Sequence, residues 1–187
     1  MFREIAIPAL LVCTLGAPAH ADEISDTIQS ALDAYNDGDV QFATEELAFA
    51  QQLLRAMKTE GLSGFLPDAP DGWTRTVDTE MSAGMGMMGG GVGAEAEYSN
   101  GTDSFTITLM ADNPMVTAMS GMFGNAAVMA AMGKMVRVGR QKFIDQNGEL
   151  STLVDNRVLI QASGAAADVM VPVLETIDYR ALGSFGT

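Results

Sequence analysis

Four methionines, Met81, Met85, Met87 and Met88, fall within one glycine-rich stretch, MSAGMGMMGGGVG, running from Met81 to Gly93. Thioether sulfurs are soft, neutral ligands suited to Cu(I) or Ag(I), and they persist in an oxidising compartment where thiols are lost. A glycine-flexible backbone could wrap three or four of them around one ion. No histidine stands nearby to assist. The same stretch fits an adaptable contact surface, because unbranched methionine re-packs against varied partners. It also fits plain structure, a loop between two strands. The residues leave all three readings open.

Other chemistry is limited by where two residues lie. Cys13 and His20 are the only cysteine and the only histidine. Both fall in an N-terminal segment ordered like a secretion signal: a short polar start with Arg3, an apolar run from Ile5 to Leu15, and the small-x-small sequence Ala19-His20-Ala21. Residues 1–21 are therefore expected to be a signal peptide, with the exported chain starting at Asp22 and residing in the periplasm or outside the cell. That chain would carry no thiol and no imidazole. Disulfides, Cys/His zinc sites and Ser-His-Asp or Cys-His catalysis would all be excluded. No cofactor is implied, and the expectation is a protein that is not an enzyme.

The remaining polar groups do not assemble a site by spacing. Glu45 and Glu46 are adjacent on a helix and point about 100° apart. Asn36-Asp37-Gly38-Asp39 lacks the alternate ligands and closing glutamate of a calcium loop, and reads as a turn with a cap. The glycines of Gly84 to Gly93 lack the Lys-Ser/Thr and the strand-to-helix setting of a phosphate cradle. Lys134, Arg137, Arg140 and Lys142 cluster in one short stretch. They read as an outward face balancing an acidic surface, or as a docking patch for an acidic partner.

Charge narrows the partners. Ten basic and 24 acidic residues give a net charge of −14. Losing Arg3 and Glu4 leaves nine against 23, the same balance. Such a chain repels nucleic acid and anionic lipid and stays soluble.

These groups must be positioned by two kinds of element. From Asp22 to about Lys58 the apolar residues recur at helical steps: Ile24, Ile28, Ala31, Leu32 and Tyr35, then Ala43, Leu47, Ala50, Leu54 and Met57. The Asn36–Asp39 break makes residues 22–60 an antiparallel helical hairpin with those side chains inward and Asp39 capping the second helix. Tyr35, Gly38, Ala43, Leu47 and Ala50 resemble the packing positions of one tetratricopeptide unit. The resemblance covers about a fifth of the chain; the closing proline is missing, Arg55 standing in that region, and no second copy follows. A lone hairpin cannot bury its own face. It must lean on the domain, on a copy of itself, or on a partner.

Residues 61–72 read as a linker, rich in glycine and proline and pinned by Leu62, Phe65, Leu66 and the adjacent Trp73. Trp73 is expected to plug a core edge. Residues 73–187 read as an α+β domain, an antiparallel meander with helices packed on one face. In AEAEYSNGTDSFTITL a two-residue turn at Asn100-Gly101 is expected to set Ala94, Ala96 and Tyr98 on one face. Later turns are expected at Asn147-Gly148 and Asp155-Asn156. The order of elements is loosely similar to PsbP-like extracytoplasmic domains.

A second group of methionines, Met115, Met119, Met122, Met129, Met132 and Met135, lies in an uncharged region after Pro114. Asn113 can cap a helix starting at Pro114, and two short helices covering a sheet account for the spacing. Gly121, Gly124 and Asn125 interrupt the run, so no membrane span is expected. Peripheral membrane contact stays open. The expected function is a secreted or periplasmic interaction protein of the cell envelope, binding a protein partner or a second copy of itself. Soft-metal binding through the methionine stretch is the alternative.

Overall fold

The computed structural model describes residues 19–78, 90–123 and 126–186. Residues 1–18, most of the expected signal peptide, lie outside them, as do the metal candidates Met81, Met85, Met87 and Met88. The chain divides into two compact units, Met1–Leu53 and Leu54–Thr187.

In the first unit, α1 (Ala19–Asn36) is followed by α2 (Val40–Ser63), whose second half belongs to the other unit. Asp39 caps α2 as expected, its carboxylate accepting a hydrogen bond from the Phe42 amide at 3.0 Å. Gly38 takes the positive φ of 84° that the reversal requires. Small side chains make the seam: Ala31, Ala34, Ala43 and Ala50 are buried, with Ile24 and Thr27.

This corrects the expected packing. Ile28, Leu32, Tyr35, Leu47, Leu54 and Met57, all placed inward by the periodicity, are exposed, as are Val40, Phe42 and Phe49. The alanines take the buried positions on both helices, and the larger apolar side chains stand on the flanks beside them. The helix also runs to Ser63, so the expected linker begins inside it.

The second unit is built on a seven-stranded antiparallel sheet in the order β1-β2-β3-β7-β6-β5-β4. Its strands are β1 (Thr74–Asp78), β2 (Val92–Ser99), β3 (Ser104–Ala111), β4 (Lys134–Val138), β5 (Gln141–Gln146), β6 (Glu149–Val154) and β7 (Val158–Ser163). Helices α3 (Pro114–Phe123) and α4 (Ala126–Met132) connect β3 to β4, and α5 (Ala167–Leu174) and α6 (Tyr179–Gly183) close the chain. The α+β class, with an antiparallel sheet and helices on it, is as the alternation indicates.

One sheet face holds the main core: Ala94, Ala96, Tyr98, Phe105, Ile107, Leu109, Phe143, Leu150 and Ile160 pack with Leu62, Met170, Val173, Leu174 and Leu182. Trp73 packs edge-on against Phe105, with ring centroids 5.3 Å apart. The structure adds a smaller cover on the reverse face. Ile144 and Leu159, of opposite parity to Phe143 and Ile160, are buried together with Val116 of α3 and Met129 of α4.

One detail differs from expectation, and another settles a strand count that the pattern leaves open. The β2–β3 connection spans Asn100–Asp103, pairing Tyr98 with Phe105 and Ala96 with Ile107. A two-residue turn would shift every pair by two. The wider loop is held by the Asn100 side chain, which accepts from the Thr102 and Asp103 amides at 2.9 and 2.7 Å. An even shift keeps the same residues on the same face. The stretch KMVRVGRQKFID, the first part of a run read as three or four strands, is itself two, a hairpin about Gly139-Arg140 with Arg137 opposite Lys142.

Candidate interaction surfaces

Carboxylate chemistry does not assemble. Among the described residues no group of three or more His, Cys, Asp or Glu could hold a metal ion. Asp112 is the best-connected carboxylate, accepting from Lys58 at 2.7 Å and lying 3.7 Å from Arg157, all partly exposed. Its φ of 54° suits an aspartate at the turn out of β3.

The perturbed groups are tyrosines, and both are structural. Burial pushes Tyr98 up to about 12, with Arg75 lowering and Asp68 raising it in smaller measure. Its hydroxyl donates to the Pro67 carbonyl at 2.7 Å. Burial and then the Glu175 charge push Tyr179 up further; its hydroxyl donates to the Leu174 carbonyl at 2.7 Å. Arg75 donates to the Leu66 and Pro67 carbonyls at 2.9 and 2.8 Å, so the segment after α2 is pinned to the sheet.

Two grooves lie in the second unit. One, of about 540 Å³, runs between Phe65–Pro70 and the end of α5, lined by Pro172, Val173 and Ile177. Its polar groups are engaged: the Thr176 hydroxyl donates to Val173, and Asp178 caps α6. The other, of about 320 Å³, is lined by Phe123, Met129, Met135, Arg140, Lys142 and Leu153. It joins the methionine-bearing helices to the basic residues singled out in the sequence. Lys134, Arg137, Arg140 and Lys142 are exposed on the β4–β5 hairpin, and none has an ion pair among the described residues. Met115 and Met135 are exposed, Met119 and Met132 half-buried, and Met129 buried. The helices are therefore largely structural cover.

The first unit carries a set of exposed apolar side chains. Ile28, Leu32 and Tyr35 of α1 lie beside the seam at helical spacing, as do Val40 and Leu47 of α2. Tyr35 is 65% exposed and Leu32 51%. The opposite side of the hairpin is acidic, with a groove of about 540 Å³ lined by Asp26, Asp33, Asp37, Asp39 and Phe42. Sequence periodicity found these apolar residues and gave them the wrong neighbour. The alanines at positions 31, 34, 43 and 50 carried the signal for the true seam.

Gly90 and Gly91, at φ of 95° and 106°, lead into β2, and Asn113 donates to the Gly90 carbonyl at 2.8 Å. Met81, Met85, Met87 and Met88 lie outside the described residues, between β1 and β2 in the sequence.

Comparison of the chain with protein-family models, with curated proteins and with solved structures finds no match, so the tetratricopeptide and PsbP-like resemblances stand on the residue pattern alone.

Proposed function

We propose that this chain is a secreted or periplasmic, non-enzymatic interaction protein of the cell envelope, and that the open apolar face of the α1–α2 hairpin is its binding surface. One observation carries the reading: Ile28, Leu32, Tyr35, Val40 and Leu47 stand exposed on a helix pair whose seam is already closed by small residues. Contiguous apolar surface of this kind marks a contact site. The signal-like order of residues 1–21, and the absence of Cys and His beyond it, support export without nucleophilic or Cys/His-metal chemistry.

The test is paired capture from native envelope extract, using wild-type chain and a Leu32→Glu variant. Species retained by the first and lost by the second support the reading. Identical recovery with both removes it.

Soft-metal binding by Met81, Met85, Met87 and Met88 is the second reading, favoured by their closeness in one glycine-rich stretch of the sequence. Titration with Cu(I) under reducing conditions decides it. Stoichiometric uptake lost when the four are changed to leucine supports it, and no uptake ends it.

A further inference from the structure

The rim of the open hairpin face identifies what covers it. At about 100° per residue, Ile28, Leu32 and Tyr35 fall on one flank of the seam residues Thr27 and Ala31. Val40 and Leu47 fall on the corresponding flank of Ala43 and Ala50. In an antiparallel pair of right-handed helices these flanks lie on the same side. The residues beside them are Ser25, Asn36, Thr44 and Gln51, all neutral, while Gln29 donates to Asp33 and lines the acidic groove. From Asp22 to Leu53 there are eight carboxylates and no lysine or arginine. By the same helical spacing those carboxylates fall at the outer edges or on the opposite side, where Asp26, Asp33, Asp37 and Asp39 line their own groove.

Between Asp22 and Leu53 a cationic partner would find no carboxylate at this rim, and an acidic partner no cation. A neutral apolar face fits it, and the chain itself supplies one. We infer that this face binds the same face of a second copy, the two hairpins packing about a two-fold axis as four helices. The inference rests on the reading of the face as an interaction surface and names its occupant.

A two-fold contact is self-complementary and buries the same five side chains from each copy. Each is roughly half exposed, which leaves on the order of 500 Å² per hairpin and about 1,000 Å² in the pair, the size at which specific interfaces begin. The contact is therefore a weak dimer, expected to dissociate in the micromolar range. No charge is buried. The carboxylates outside still repel across the pair, so added salt strengthens the dimer.

Sedimentation equilibrium of the purified chain across the micromolar range tests this. The expected result is a reversible monomer–dimer equilibrium that moves toward dimer with salt, weakened at least tenfold in Leu32→Glu and unchanged in Glu45→Gln. Tyr35→Ser serves as a second variant should Leu32→Glu lose its helical circular dichroism. A monomer at every concentration, or a dimer indifferent to both variants, overturns the inference. A photo-crosslinking residue at position 35 in the native envelope separates the two levels. A product of twice the chain mass supports the second copy. A product with a different protein overturns it and leaves the interaction surface standing, while no product at all removes both.

Discussion

The ring of Tyr98 lies on the ring of Phe105, centroids 4.9 Å apart and planes 11° from parallel, while the Tyr98 hydroxyl donates to the Pro67 carbonyl at 2.7 Å. One side chain therefore sets the β2–β3 register and ties the segment after α2 to the sheet. Tyr98→Phe keeps the stacking and loses only the hydrogen bond, at an expected cost of about 1 kcal/mol. Tyr98→Ala also opens a cavity and should cost about 3–5 kcal/mol. Urea unfolding of both variants checks the difference.

The same tyrosine governs alkaline stability. The folded state holds its proton more tightly than the unfolded chain, whose group titrates near 10, because burial raises the folded value to about 12. Stability from this group is complete below pH 10 and is lost as pH rises through 12. Tyr179, raised further by burial and by Glu175, acts in the same direction. Ultraviolet titration of tyrosinate should show both groups ionising late in the folded protein and normally in urea. Normal titration of both in the folded state would contradict this.

Gly133 stands where α4 turns into β4. A Cβ there would overlap the Asp145 carbonyl oxygen and come within 2.8 Å of Ile144 Cγ2. Neither can move freely, since one is strand backbone and the other is fully buried. Gly133→Ala is expected to lower stability by about 1–3 kcal/mol. Gly121, with nothing within 4 Å of its added Cβ, is the control, and Gly121→Ala should not destabilise the helix. Thermal unfolding of the pair checks the contrast.

The hairpin seam reverses the usual ranking of residue sizes. Ala50 is buried and Leu47 is about half exposed. Ala50→Leu should therefore destabilise the first unit by about 1–3 kcal/mol through overpacking. Leu47→Ala should cost under about 1 kcal/mol at concentrations low enough to keep the chain monomeric. Helical circular dichroism followed through urea would measure both. A larger loss from Leu47→Ala would mean that the leucine, and not the alanine, closes the seam.

The parts of this fold legible in the sequence are those that local chemistry determines. Asp39 caps α2 because a carboxylate at that position reaches the third amide of the helix. Asn147 and Gly148 turn β5 into β6 because both take positive φ, 56° and 90°. Met170, Val173 and Leu174 are buried together because helical spacing sets them on one side. Where the answer depends on a choice between two acceptable arrangements, the pattern could not decide. The two registers about Asn100 bury the same face. The hairpin offers both alanines and larger apolar residues at helical spacing, and the spacing alone does not select the alanines as the buried set. The break at Gly139-Arg140 was masked by strand-forming residues on both sides. For the candidate surface, the residues were visible and their exposure was not, since exposure depends on what the seam leaves over.

Hydroxyl-radical footprinting read by mass spectrometry tests the central claim most directly, because it reports side-chain cover in the working environment. In dilute purified protein, Ile28, Leu32, Tyr35 and Leu47 should be oxidised at the rates of exposed side chains of their types, as should Phe42 and Phe49 on the hairpin's other side. In the envelope proposed as its setting, each of the first four should be protected several-fold against its own rate in dilute protein while the two phenylalanines stay unchanged. Unchanged rates for all six between the two settings would show that nothing covers the face, and the account of this protein as a contact-maker would fall.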